Sequence, residues 1–191
     1  MPTIYATCIF MFLAFANQVI FSATYFKRTG KDNHCYYLGG LVGLLTFVNI
    51  SDAILSCNLS YSSWEFIVSS FLYLFSIFLF HYSAASARHA DLTLSFSKES
   101  TEILVTSGPY RWVRHPFYSS YLIYWFAPTL LKNDILFSQQ RTIALCILLL
   151  MFSIYRKAAI QEEQKFMSSD LAEQYRQYHS KVGRFVPKLW R

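Results

Sequence analysis

Charge is what this chain has least of. Aspartate, glutamate, lysine and arginine make up 15% of its 191 residues, against about 25% in soluble domains. Its surface is therefore not that of an ordinary soluble protein. The formal net charge is still +6. A nucleic-acid binder would gather its Lys and Arg on one soluble face, whereas here they sit in the gaps between apolar runs. Paired cysteines are missing as well. Cys8, Cys35, Cys57 and Cys146 form no CxxC, so neither a disulfide framework nor a zinc site is expected. Nor is there a basic n-region at the N-terminus. The apolar run Ile4–Phe26 is too long for a signal-peptide core and reads as a retained transmembrane helix.

What the chain has instead is apolar and aromatic: 54% hydrophobic and 19% aromatic residues, in runs near the roughly 20 residues a membrane helix needs. The runs predict an all-α, polytopic helix bundle of about five transmembrane helices. These are Ile4–Phe26, Tyr36–Asn58, Trp64–Ala87, Phe117–Leu131 and Arg141–Tyr155, the last two short. All of 1–191 reads as one domain, with three helices in 1–87 and a second half in 88–191. Lys27, Arg28 and Lys31 follow the first helix, Arg88, Lys98, Arg111 and Arg114 follow the third, and eight Lys or Arg follow the fifth. The positive-inside rule then places the N-terminus outside and the C-terminus in the cytoplasm. The loop 88–116 and the tail 158–191 share that cytoplasmic face. In the tail Ile160, Met167, Leu171, Tyr175, Tyr178 and Val182 recur at helical spacing, the pattern of an amphipathic helix.

Several polar groups stand out against this background. Asp52 lies inside the second helix with Asn49 and Ser56 on its face. It reads as a structural hydrogen-bonding residue, because it sits in the outer half, away from the two cytoplasmic segments. His81 lies in the third helix, where a haem or quinone anchor using His34 or His89 is one reading and a core histidine the other. Glu162 and Glu163 follow the fifth apolar run and read, on charge alone, as a solvated helix start. The segment from Gly108 to Tyr118, GPYRWVRHPFY, is denser in polar chemistry. Gly108-Pro109 makes a turn, and Pro116 suits the first turn of a helix. His115 and Tyr118 then sit at a helix N-terminus, where free N–H groups favour a carboxylate or phosphate. A basic-aromatic interfacial anchor accounts for Arg111, Trp112 and Arg114 but not for His-Pro at a helix start.

GPYRWVRHPFY resembles the signature of the integral membrane methyltransferases, which include isoprenylcysteine carboxyl methyltransferase, the phospholipid N-methyltransferases and prokaryotic relatives. Downstream, EEQKF and YRQYHSKVGRFVP resemble the second half of that signature, so the likeness runs over roughly 103–187. The resemblance implies S-adenosyl-L-methionine as cofactor and a lipophilic or lipidated acceptor in the membrane. It also implies that Glu102, Ile103, Leu104 and Val105 border the cofactor. Tyr110, His115, Pro116, Phe117 and Tyr118 would contact it, with Glu162 as the binding glutamate and Glu163 as the close alternative. There is no GxGxxG after a strand, so this is no Rossmann-type enzyme. Two positions depart from the family pattern. Ser120 stands where glycine is common. Ala158 stands where the carboxyl methyltransferases place an arginine that holds the acceptor's carboxylate. Arg156, Lys157 and Arg114 remain as candidates to orient the acceptor, which leaves a phospholipid N-methyltransferase-like enzyme as an alternative.

Overall fold

The computed structural model describes residues 2–25, 41–48, 63–88, 103–130 and 139–188. Among them α1 spans Pro2–Tyr25, α2 residues 41–48, α3 Ser63–Ser86, α4 Pro116–Leu130, α5 Gln139–Met167 and α6 Ala172–Lys181. A 3-10 turn, Gly108–Arg111, precedes α4. No strand occurs among the described residues. Helix α3 packs against both α1 and α4, and α4 packs against α5. Helix α4 is thus an inner element, with ten of its fifteen residues buried. The 3-10 turn lies against α3, and α6 lies against α5.

Helix α3 has two unlike faces. Ser69, Ser76 and Ser83 recur every seven residues and, with Tyr73 and Phe80, are fully buried. Such small side chains let helices approach closely. Their hydroxyls also tie neighbours together. Gln18 Nε2 donates to Ser76 Oγ at 2.6 Å, Ser76 Oγ to the Ser120 carbonyl at 2.7 Å, and Ser69 Oγ to the Ala127 carbonyl at 3.1 Å. On the opposite face Ile67, Phe71, Leu74 and Phe78 are at least half exposed. In water this band would be a liability; facing lipid it is the expected surface. Two stretches, Ile67–Ser86 and Arg141–Met167, are long and apolar enough to cross a membrane by length and composition, and Ile9–Ile20 is a shorter apolar stretch.

Of the expected Tyr36–Asn58 only 41–48 are described, as helix, while α1, α3 and α4 lie within about two residues of their expected bounds. The fifth does not. It continues twelve residues past Tyr155 to Met167. Arg156, Lys157, Ala158, Ala159, Gln161, Glu162 and Glu163 have good helix propensity and simply extend it. Glu162 and Glu163 therefore lie near the end of a long helix rather than at the start of a new one. The single amphipathic helix expected from Ile160 to Val182 is divided. Ser168 Oγ lies near the carbonyls of Gln164 and Lys165, at 3.1 and 3.0 Å. Ser169 Oγ donates to the Phe166 carbonyl at 2.9 Å and accepts from the Leu171 N–H at 3.2 Å. Side-chain bonds of this kind compete with the helix and end it. Helix α6 then folds back, with Tyr175 stacked on Phe166 at 4.9 Å.

The polar candidates Asp52, Asn49 and Ser56 lie outside the described residues, as do His34, His89 and Glu102. His81 is partly buried and meets the Phe80 ring edge-on at 5.7 Å. Among the described residues no group of His, Cys, Asp and Glu could hold a metal ion.

Candidate functional site

The site forms where the C-terminal part of α5, the start of α4 and the segment after α6 converge. The buried face of α5 runs through Ile147, Met151, Tyr155, Ala158 and Ala159, and Glu163 is its next member. Residues spaced by three and four share one helix face. The same register that buries the apolar stripe therefore turns Glu163 inward and leaves Glu162 at its edge. Arg156 and Lys157 are exposed.

The other wall begins at the 3-10 turn. Gly108 has φ 57°, the left-handed region open to glycine, and packs against Ser86 of α3. Tyr110 is buried, and its carbonyl accepts from the Tyr178 hydroxyl of α6 at 2.6 Å. Arg111 and Trp112 point outward, Trp112 being 67% exposed. Arg114 does not share their role as a surface anchor. It is buried, its Nε and Nη2 donate to Glu163 Oε1 at 3.1 and 2.9 Å, and its Nη1 donates to the carbonyls of Val182 and His179 at the end of α6. One guanidinium thus neutralises a buried carboxylate and caps a helix C-terminus.

Main-chain pairing then brings in the tail. The Arg114 N–H donates to the Gly183 carbonyl at 2.8 Å and the His115 N–H to the Arg184 carbonyl at 3.1 Å, beside an isolated parallel bridge between Val113 and Gly183. Ser119 Oγ lies 2.7 Å from the Phe185 carbonyl. A Cβ at Gly183 would overlap the Val186 carbonyl, so the tail turns here only with glycine. Arg184 Nε and Nη2 donate to Glu163 at 3.0 and 2.7 Å. Glu163 thus receives two arginines, with His179 3.8 Å away.

His115 sits between the two glutamates. Its Nε2 lies 3.1 Å from Glu163 Oε1 and its Nδ1 3.4 Å from Glu162 Oε2. A ring with a carboxylate at each nitrogen donates from both when it is imidazolium. Burial lowers the His115 pKa, but the hydrogen bonds to Glu162 and Glu163 outweigh it and raise it above the ordinary value. Tyr118 donates to Glu162 Oε1 at 2.5 Å. Its ring stacks on His115 at 5.6 Å and on Tyr155 at 5.4 Å, and Phe185 meets both His115 and Tyr118 edge-on. The result is an aromatic ladder beside a half-open carboxylate.

The structure brings Tyr110, Arg114, His115, Pro116, Phe117, Tyr118, Glu162 and Glu163 to one end of the bundle. Pro116 and Phe117 are buried in the first turn of α4, and Phe117 packs on Phe80 of α3 at 5.2 Å. Ile103, Leu104 and Val105 form an irregular segment before the turn, and Ile103 is 49% exposed. Ala158 is buried beside Tyr155, and Ser120 is fully buried, its hydroxyl donating to the Phe117 carbonyl at 2.7 Å. Tyr155, Arg184 and Phe185 belong to the cluster without having been singled out from sequence. A carboxylate in register with an apolar stripe needs counter-charges, but that does not mark Arg114 and Arg184 as the residues that supply them.

Apolar helices of membrane-crossing length, ending in a cluster of ionic and aromatic side chains, are consistent with an integral membrane protein that carries a polar site at one end of its bundle. The model of the isoprenylcysteine carboxyl methyltransferase family matches residues 72–169, just over half of the chain, and the chain belongs to that family. The match supports a membrane methyltransferase of that type and covers both GPYRWVRHPFY and the glutamate pair. No curated protein and no solved structure matches the chain.

Proposed function

We propose that the protein transfers a methyl group from S-adenosyl-L-methionine to a lipophilic acceptor reached from the membrane. The observation that carries this reading is the arrangement around Glu162. Its side chain is 32% exposed, and its carboxylate is held by Tyr118 and His115 beside the His115–Tyr118–Tyr155 ladder. The donor set fits the cofactor's chemistry. Glu162 would hold an ammonium or ribose hydroxyls, and aromatic faces suit a cation or a purine. When bound, the cofactor supplies an electrophilic methyl on a sulfonium sulfur, and the transfer leaves a neutral thioether.

The residues of this chain act by positioning, which is the main demand of an in-line displacement. Tyr118 and His115 fix the carboxylate of Glu162. Glu163, clamped by Arg114 and Arg184, fixes His115 and the tail. We place the site and C-terminus on the cytoplasmic side, by the distribution of Lys and Arg. A water-soluble cofactor then arrives from the cytoplasm and a lipid acceptor laterally, through the bundle. The acceptor most in keeping with the family's name is an isoprenylcysteine carboxylate. Exposed Arg156 and Lys157 are the nearby cations on α5 that could orient it.

Isothermal calorimetry of the detergent-purified protein with S-adenosylhomocysteine tests the reading. Saturable one-site binding is expected. No heat of binding from protein that still melts cooperatively would overturn it.

A further inference from the structure

Two carboxylates, Glu162 and Glu163, meet two guanidiniums, Arg114 and Arg184, around the His115 ring. The deep members are closed: the side chains of Arg114, Glu163 and His115 are 5, 8 and 9% exposed. Two members of opposite sign stay partly open, Glu162 at 32% and Arg184 at 28%. His179, 40% exposed, is the remaining neighbour. Burial and then the Arg114 charge lower its pKa, so it adds no further positive charge at neutral pH.

Arg184 uses Nε and Nη2 on Glu163, which leaves the Nη1 hydrogens of the fork unneeded for that pair. Its Nε donates to Glu163 Oε1, the same oxygen that faces His115 Nε2, while Glu162 faces Nδ1. An open carboxylate and an open guanidinium are therefore joined through His115 and Glu163. That is the charge pattern of a receptor for a zwitterion. An ammonium at Glu162 and a carboxylate at Arg184 would each meet its opposite.

We propose that Glu162 and Arg184 together read the α-amino-acid end of the methyl donor, Glu162 taking its ammonium and Arg184 its carboxylate. This rests on the donor reading above. It adds a binding residue from beyond α6, outside the residues matched by the family model.

The test compares two probes on the full-length protein in detergent. S-Adenosylhomocysteine carries the amino-acid end, and 5′-methylthioadenosine lacks it. Arg184→Gln should weaken S-adenosylhomocysteine binding by about tenfold or more, the loss expected for a charged hydrogen bond. Methylthioadenosine binding should weaken far less, because any loss through the Glu163 clamp falls on both probes alike. Equal weakening of both probes would make Arg184 a purely structural tether and overturn the proposal, as would unchanged S-adenosylhomocysteine binding. If Arg184→Gln does not melt cooperatively, Arg184→Lys decides. It keeps the charge but not the fork and should still lose selectively against S-adenosylhomocysteine. Failure of the wild-type protein to bind S-adenosylhomocysteine at all would count against the donor reading itself, and so is distinguishable.

Discussion

Glu162 and Glu163 are neighbours on α5, yet Glu163 is closed among Arg114, Arg184 and His115 while Glu162 keeps a third of its side chain open. One step of 100° around the helix separates the two environments. Adjacent, chemically identical groups are thereby given different work: Glu163 holds the structure together and Glu162 faces outward.

Glu163→Gln should cost stability. The substitution leaves the buried Arg114 guanidinium without its counter-charge, and losing one partner of a buried pair costs about 3 to 5 kcal/mol. Glu162→Gln removes a partly solvated carboxylate and should cost about 1 kcal/mol or less, while S-adenosylhomocysteine binding weakens. Thermal melts in one detergent, run beside calorimetry, check both halves. Equal losses of melting temperature would contradict the division of roles.

The pH dependence follows from His115. Its folded pKa is raised above the ordinary value of about 6.5, since Glu162 and Glu163 favour the imidazolium more than burial disfavours it. A raised pKa means that the folded state holds the proton more tightly than the unfolded chain. That stabilisation is complete below the unfolded value and is lost as pH climbs through the folded value. Between these two pH values, melting temperature should fall with rising pH. The groups facing the ring are Glu162 and Glu163 of α5, Tyr118 of α4 and Phe185 of the tail, with Arg114 and Arg184 bound to the Glu163 carboxylate. The variant His115→Gln should flatten the slope in that window. A slope that survives the substitution would assign the titration elsewhere.

Much of this architecture was legible in the amino-acid order, and the illegible parts have physical reasons. Apolar runs located α1, α3 and α4 because a helix that meets lipid is marked along its whole length. The same signal failed at α5. Hydropathy ends at Arg156, but the helix is carried onward by residues of high propensity, and only the three-four spacing from Tyr155 through Ala159 to Glu163 records its register. Periodicity also overran the break after Met167, because Phe166 and Tyr175 stack on each other from two different helices. His115, Tyr118 and the glutamate pair could be singled out by residue type and motif. The inward turn of Arg114 and the return of Arg184 could not. Both depend on pairing between segments nearly seventy residues apart, for which one sequence carries no local mark.

The turn that launches the site offers a last check. Gly108 has φ 57°, and a Cβ there would lie 2.8 Å from Ser86 Cβ and closer still to its hydroxyl. Gly108→Ala therefore carries two penalties, a left-handed backbone that disfavours side chains and a steric overlap with α3. Together they should cost about 1 to 3 kcal/mol. They can be separated. Ser86→Gly removes the atoms that overlap but leaves the backbone unchanged, and by itself it loses a hydroxyl that donates to the Tyr82 carbonyl within α3. The double variant should then melt higher than the sum of the two single losses predicts, with a coupling of about 1 kcal/mol. It should still melt below the wild type. Additive losses would show that α3 and the turn are not in contact, and the wall of the site that begins at Gly108 would lose its support.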